Sequence, residues 1–587
     1  MKLLHIFIIL LSLIFCLSDD IEKRLEGKPI SSDLDNDKIS LAFDGDLSTN
    51  FVSTNEFGWI GVELLNPSKI TKIGFYHNFP DFNIYLLGIF QGANDISFFD
   101  AVPLDMILSK EKENEINYIK INCTQIFKYI RYVGPWNSNS LISELIIYGI
   151  EYPNPEPILE KQNIYQPSNL PLIIINTENR EMLTGYDKEK KVKSNIMIIE
   201  NKNIKAKYKA KIKLRGNSSL DTDKKSYTIN LDEKAKILDI PNKSKKFALV
   251  SNYYDKSLIR NVLAYEISSF IKLKYTPKCT YADLIFNGYF QGNYILCEKI
   301  EVEEERVNIT KMDKKSKKEP DVSGGYLIEG DTNGQKDQSY FKTNKGIRFT
   351  IKYPKIENLI RNQYLYISNK FNEVENEIFN NNINSLDIES FAKYFIVEEF
   401  CGNVDAVYNS IYIYKERSDK KLYFGPVWDM DLAFDNSYIM YPTNEQKNFG
   451  YKFTISNGPM KKVVSKILSN GKMLDKIKEL WFYLINNGFN KEYLLNFIDE
   501  KYKLIYESQK LNFKRWQVLG ERIFMEAKIF DTYEEEVDFV KKFIIKRFET
   551  LGDIIFKAHY DSVLKEYKTQ WDDKGQIDDD EQYGWDV

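Results

Sequence analysis

The chain has 587 residues, 43% hydrophobic and 28% charged; it is too long for one core and too apolar for disorder, so two or three folded domains are expected. Its 81 Lys and Arg against 85 Asp and Glu leave a formal net charge of −4, which argues against nucleic-acid binding as the main task. Only three His and no CxxC occur in the whole chain, which argues against a zinc site.

The N-terminus reads as a secretion signal over residues 1–18. Lys2 precedes an apolar run, 3–17, broken only by His5 and Ser12, and the small residues Cys16 and Ser18 precede a cut before Asp19. The competing reading is an N-terminal membrane anchor, but the run is short for a span and acidic residues follow at once. No later segment offers a spanning apolar run, so a secreted or secretory-lumen protein without a transmembrane span in the mature chain is expected. Cys123, Cys279, Cys297 and Cys401 then remain, and Asn122, Asn217, Asn242 and Asn308 are glycosylation sequons. Cys279 and Cys297 flank an Asn287-Gly288 hairpin turn, but counted from that turn their register misses direct opposition.

Between residues 21 and 152, short apolar runs alternate with turn clusters. Strands are predicted at 59–65, 70–76, 84–90, 118–121, 129–133 and 145–150, a spacing that suggests a sandwich or barrel. Pro153, Pro155, Pro157, Pro167 and Pro171 make 151–171 a linker. From 172 to about 353 the pattern is mainly β, with strands at 172–175, 196–199, 208–214, 226–231, 281–286 and 294–298 and one helix around 257–270. Past residue 358 it turns helical, at 386–400, 463–468, 474–486 and 534–556. Residues 561–587 read as an acidic tail.

Within the first β region, AFDGDLSTNF (42–51), GWIGVELLNPSKITKIGFY (58–76), LLGIFQGAND (86–95), YIRYVG (129–134) and ISELIIYGI (142–150) resemble the discoidin, or coagulation-factor type C, domain. The likeness is collinear over 30–150 and implies an all-β, eight-stranded jelly-roll sandwich that binds sugars, lipids or proteins through loops at one end. It also implies a structural Ca²⁺ at Asp46, Thr49 and Glu144, hard oxygen donors that suit that ion; an Asx-type turn without metal is the other reading of DGDLST. Trp136 is either a sugar-stacking platform or a packed loop aromatic.

Three clusters in the second region carry chemistry. In KLRGNSSLDTDKKSYTINL (213–231), Gly216, Ser218 and Ser219 can offer N–H and hydroxyl groups to phosphate, with Lys224 or Lys225 reaching in from the next strand; most such loops are only turns. In CGNVDAVYNSIYIY (401–414), Asp405 and Asn409 suit a phosphotransferase, which needs a carboxylate near the acceptor hydroxyl and oxygen donors for Mg²⁺; a surface loop with local turn bonds is the alternative. In YFGPVWDMDLAFDNS (423–437), Asp429 and Asp431 are separated by one residue in an apolar stretch; in a strand they would share a face, and carboxylates that close repel unless a cation or proton lies between them, with a helix N-cap as the alternative.

Together with KKFALVSNYYDKSLIRNVLAYEIS (245–268), NGYFQGNYILCEKI (287–300) and GGYLIEGD (324–331), these blocks resemble, in order, the CotH (spore-coat protein H-like) kinase family over 172–560. The resemblance implies an α+β, two-lobed, atypical protein-kinase-like domain that uses ATP with Mg²⁺ and phosphorylates Ser or Thr of secreted or surface proteins. Carried over block by block, it makes Asp405 the catalytic carboxylate. Asn409 and Asp429 become Mg²⁺ ligands, with Asp431 supporting or replacing them. Lys225 becomes the phosphate-contacting lysine, with Lys224 its alternate; Glu298 either holds that lysine or marks the inter-lobe hinge, and Arg260 and Asn261 are structural. The GxGxxG, VAIK, HRD and DFG marks of ordinary protein kinases are absent. Two readings compete with the kinase: a catalytically inactive adhesin or matrix-binding protein, and a glycosidase with a carbohydrate-binding module. In each, the N-terminal module would serve a glycan or cell-surface ligand.

Overall fold

The computed structural model describes residues 21–33, 37–110, 112, 114–153, 161–330, 339–453 and 458–572. The predicted signal, 1–18, the middle of the expected linker and the end of the expected acidic tail lie outside the described residues. Among the described residues no helix is long and apolar enough to cross a membrane.

The chain divides into two compact units. The first comprises the chain through Tyr253 together with Cys279–Glu298 and Leu504–Gln517; the second comprises Tyr254–Lys278, Lys299–Lys503 and the chain from Val518. A β-rich half followed by an α-rich half was the expected order. Instead the chain changes unit five times, because short segments find their apolar partners in whichever core is complementary rather than in sequence order.

The first unit begins with eight strands: β1 (Lys23–Arg24), β2 (Gly27–Ser31), β3 (Ile60–Tyr76), β4 (Ile89–Ala93), β5 (Val102–Met106), β6 (Asn117–Lys120), β7 (Ile126–Val133) and β8 (Glu144–Glu151). They run in the order β1-β8-β3-β7-β4-β5, with β2 and β6 also paired to β3. The long strand β3 was expected as two strands, because Asn66-Pro67-Ser68 reads as a turn. The chain carries those residues as a bulge, at which pairing to β7 jumps from Glu63↔Tyr129 to Ser68↔Phe127. The first half of β3 thus lies between β2 and β7 and its second half between β6 and β8. Inward-facing Phe51, Ile60, Ile73, Ile89, Phe90, Ile130, Tyr132 and Ile142 are fully buried in this core.

A closed seven-stranded barrel follows in the same unit, built from β9 (Leu172–Thr177), β10 (Val192–Glu200), β11 (Asn203–Arg215), β12 (Ser226–Ala235), β13 (Ser244–Val250), β14 (Cys279–Phe286) and β15 (Tyr289–Glu298). Period-two alternation builds it: Ala210, Ile212 and Leu214 of β11 face the interior while Lys209 and Lys211 face solvent. The described part of the expected linker packs rather than swings. Ile164 is fully buried in the core shared with the eight-stranded module, and its N–H donates to the Lys202 carbonyl at 2.9 Å.

The Asn287-Gly288 turn corrects the cysteine register. Both residues have positive φ, as a tight two-residue hairpin needs, and Phe286 pairs with Tyr289 and Ile285 with Phe290. A bulge at Gln291 then moves the register by one, so Leu284 pairs with Gly292 and Cys279 faces Cys297 directly.

The helices are α1 (Arg260–Phe270), α2 (Arg361–Phe379), α3 (Ile388–Cys401), α4 (Pro459–Leu468), α5 (Gly471–Asn486), α6 (Lys491–Leu504), α7 (Tyr506–Arg515) and α8 (Tyr533–Asp572). Of these, α7 belongs to the first unit. Its Asn512 and Ser508 reach β15, and Trp516, just past its end, donates to the Gln291 carbonyl at 2.9 Å. The other helices belong to the second unit, together with a second sheet, β17-β18-β16-β19-β20, of β16 (Tyr326–Gly330), β17 (Tyr340–Lys342), β18 (Arg348–Tyr353), β19 (Ile411–Lys415) and β20 (Tyr423–Phe424). Because α8 runs to Asp572, the start of the expected tail is helical.

Candidate active site

The carboxylates singled out in the sequence gather in the second unit, in the segments that follow α3 and β20. α3 starts at the N-cap Asp387, whose side chain accepts from Ser390 N–H at 2.8 Å, and ends on Gly402 in the left-handed conformation. The Cys401 carbonyl then accepts the Phe434 N–H at 2.7 Å, which binds the two site segments to each other. Arg547 of α8 donates to the Glu399 and Phe400 carbonyls, capping α3 from the far side with a cation at its negative end.

Beyond that cap, Asn403 turns the chain. Its side chain accepts from Asp405 N–H at 3.2 Å and donates to Glu398 at 2.8 Å. The Asp405 carbonyl accepts from Tyr408 and Asn409 N–H at 2.8 and 3.1 Å, so Asp405 and Asn409 sit one helical turn apart on one face. Asp429 is exposed and held with φ +57, a left-handed conformation sparsely used outside glycine and favoured at functional turns. Its carboxylate accepts from the Ser410 hydroxyl at 3.3 Å. Met430, next in line, is locked by its N–H to Asn261 Oδ1 at 2.9 Å, and the Asp431 carbonyl accepts from Asn436 at 2.7 Å. The expectation that Arg260 and Asn261 are structural agrees with these contacts. Arg260 forms a fully buried pair with Asp255 at 2.6 Å, and Asp255 also accepts from Ser257 and from the Arg260 N–H. A second buried pair, Lys256–Glu526 at 3.0 Å, lies next to it in sequence.

The electrostatics are those of crowded acids. Burial, then the charge of Asp429, pushes the Asp405 carboxyl up to about 6. Burial, then Asp429, Asp255 and Asp405, pushes Asp431 up to about 8. Glu398 behind Asn403 is raised to about 8, chiefly by burial. The charges that bear on Asp431 are all of its own sign, and an added cation is what would favour the ionised cluster. Among the described residues, no three His, Cys, Asp or Glu side chains already converge as a metal-ligating group. Sequence reasoning missed Glu398 and Asp255; each stands in or beside a helical block where its role looked like helix surface.

In the first unit, the Gly216 loop has φ +107, and a Cβ there would meet the Ser219 hydroxyl at 1.8 Å, so glycine is required. Ser218, Ser219 and Leu220 form a single 3-10 turn. Lys224 departs from its expected alternate role. Its ammonium is buried and donates to the Ser251 and Asn293 carbonyls at 2.7 and 2.5 Å and to Asn512 Oδ1 at 2.8 Å; burial lowers its pKa well below the ordinary value. Lys225, just before β12, is half-buried and donates instead to the Leu220 carbonyl at 2.6 Å. Glu298 ends β15 and accepts from Asn242 at 2.9 Å.

In the N-terminal module, the Asp46 carboxylate accepts from Ser48 N–H and hydroxyl at 2.9 and 2.6 Å, and Thr49 donates to Asp44 at 3.0 Å. Glu144 is buried; its Oε2 accepts from Gly45 N–H at 3.0 Å, while Oε1 has no hydrogen-bond partner and lies 3.7 Å from Arg24. Trp136 is a packed aromatic: its ring meets Phe57 edge-on at 4.7 Å and Tyr289 at 5.8 Å.

No curated protein matches the chain. Among solved structures it is similar to the CBM62 module of Clostridium thermocellum Xyl5A, at 32% identity over 22% of this chain and 98% of that one, with a TM-score of 0.21. It is also similar to the F5/8 type C domain of a Bacteroides fragilis protein, at 15% identity over 22% and 98% of the two chains, TM-score 0.19. A third, the CBM32 of AlyQ in complex with 4,5-unsaturated mannuronic acid, is 17% identical over 21% and 97%, TM-score 0.18. The family profile described as CotH kinase protein matches residues 212–551, more than half of the sequence and including both carboxylate segments, and the chain therefore belongs to the CotH kinase protein family.

Proposed function

We propose that the chain is a secreted, ATP- and Mg²⁺-dependent phosphotransferase that acts on Ser or Thr hydroxyls of secreted or surface proteins. The observation that carries this reading is that Asp405 and Asn409 lie on one of two hydrogen-bonded segments and Asp429 and Asp431 on the other, with Asp405 raised by burial and then by the charge of Asp429, and Asp431 by burial and then by Asp429, Asp255 and Asp405. Mg²⁺, when bound, would neutralise charge on the transferred phosphoryl group. Asp429, exposed and on a constrained turn, and Asn409 would hold that ion, with Asp431 supporting. Asp405, raised to about 6, accepts the acceptor hydroxyl's proton; a carboxylate in that range is a better base near neutral pH than one at its ordinary value. Calorimetric titration of the full chain with ATP and Mg²⁺ tests the metal role. Binding by the wild type that Asp429→Ala abolishes supports it, and equal binding by both contradicts it.

For the N-terminal module we propose, from its discoidin-type sequence blocks, binding of a glycan or cell-surface ligand that delivers the kinase domain to its substrates. A structural Ca²⁺ belongs to the same proposal. The buried Glu144 Oε1 beside the Asp44–Asp46 turn, which accepts no hydrogen bond and has only Arg24 at 3.7 Å, is the oxygen such an ion would satisfy, with Asp46 and Thr49 in the same turn.

A further inference from the structure

The barrel's last hairpin brings together two thiols. Directly opposed residues of an antiparallel pair have Cα atoms about 4.5–5.5 Å apart, inside the window of roughly 4.4–6.8 Å that a disulfide spans. The Gln291 bulge gives Cys279 and Cys297 that relation; Thr280↔Leu296 beside them and Ala248↔Cys297 on the next strand hold the register from both sides. Opposed residues share a face, here the outer one with Tyr281 and Ile295, while Ala282, Tyr294 and Leu296 fill the barrel. The two thiols are close enough to hydrogen-bond to each other. The remaining described cysteines lie elsewhere: Cys123 is buried in the eight-stranded module and Cys401 at the end of α3.

We propose that Cys279 and Cys297 form a disulfide bridge by thiol–disulfide exchange with glutathione disulfide or an oxidised dithiol protein. Cys279 is half-buried and Cys297 fully buried, which sets the order of steps. The Cys279 thiolate attacks the oxidant's disulfide and expels one thiolate, leaving a mixed disulfide. The Cys297 thiol then loses its proton and attacks the Cys279 sulfur, which expels the second thiol. Two protein thiols are oxidised to one disulfide, and one oxidant disulfide is reduced to two thiols. Burial and the neighbouring thiol hold the Cys297 pKa well above its ordinary value, which agrees with Cys279 as first attacker.

The place of the bridge gives it a role. The segment Cys279–Glu298 is an excursion from the second unit's sequence into the first, and the two cysteines stand at its two ends. Within the first unit the hairpin has non-local partners on both edges, β14 with β9 and β15 with β13. A bridge at its base closes a loop of about 19 residues and holds the hairpin in the barrel against opening from that base.

The test equilibrates the purified full chain in glutathione buffers from reducing to oxidising, then quenches, alkylates, digests and analyses it by mass spectrometry. In oxidising buffer the expected product is one cross-linked peptide joining Cys279 to Cys297, with an intact mass lower by about 2 Da. Amide exchange across β14 and β15 is expected to slow by about tenfold or more relative to the reduced chain. Both thiols remaining alkylatable in oxidising buffer would overturn the proposal, as would a peptide joining either of them to Cys123 or Cys401. A bridge that leaves hairpin exchange unchanged would overturn its stapling role.

Discussion

Replacing Asp431 by Asn removes a charge from the carboxylate cluster while keeping the side chain's shape, and the stability consequence follows from linkage. The Asp431 carboxyl is raised from an ordinary 3.8 to about 8. An acid that holds its proton in the fold but loses it on unfolding weakens the fold as pH rises. The penalty starts near pH 4, grows by roughly 1.4 kcal/mol per pH unit, and levels off above about 8. At pH 7 that is at most about 4 kcal/mol; the residue keeps partial exposure, so screening brings the expected penalty to roughly 2 kcal/mol. Asp431→Asn, without metal, should therefore be more stable than the wild type by about that amount at pH 7–8, with a melting temperature a few degrees higher, and indistinguishable from it near pH 4. Thermal melts of both proteins across that range, with chelator present, measure the difference. A gain that does not depend on pH, or a loss at pH 8, would refute the idea that burial and the neighbouring acids hold the Asp431 proton.

Asp405→Asn should spare Mg²⁺-dependent nucleotide binding and lower turnover by about a hundredfold or more, the scale for losing a positioned base; steady-state kinetics beside calorimetry separates the two. In the wild type, turnover should fall as pH drops through about 6, where Asp405 takes its proton, and a rate–pH profile shows whether that limb disappears in Asp405→Asn. Lys224→Met should destabilise the first unit by about 3 kcal/mol or more, because three buried acceptors lose their donor; denaturant unfolding measures this. Ca²⁺ should raise the melting temperature of the wild type and not of Glu144→Gln, since only native-state binding stabilises.

Much of the fold was legible where local pattern decides structure. Alternation in β11, the Asn287-Gly288 turn and the apolar periods of α3, α5 and α8 all match what the sequence predicts. The misses share a cause: the deciding contact is distant. Nothing local distinguishes the bulge at Gln291 from regular strand, yet it decides which residue faces Cys297. α7 escapes an apolar-period search because its inward positions include Ser508, Gln509 and Asn512; β15 satisfies Ser508 and Asn512, and Lys224 also donates to Asn512. At the site, Asp-x-Asp and the Asp405–Asn409 pair stood out because acidic residues in an apolar stretch need a reason. Asp255 did not, because its buried partner Arg260 could be recognised only once the α1 start was folded around both. The two lysines of 224–225 were indistinguishable in sequence; distant acceptors on Ser251, Asn293 and Asn512 bury Lys224, while Lys225 bonds the nearby Leu220 carbonyl.

The most direct test of the central claim is phosphate transfer itself. Purified full chain is incubated with Mg²⁺ and γ-labelled ATP, and with Ser- and Thr-containing acceptor proteins, and its products are mapped by mass spectrometry. Phosphoserine or phosphothreonine that appears with the wild type and Mg²⁺, and is lost with Asp429→Ala or with chelator, is the predicted result. Wild-type protein that neither binds ATP with Mg²⁺ nor labels itself or any acceptor would contradict the kinase account and leave an inactive, CotH-type binding protein in its place.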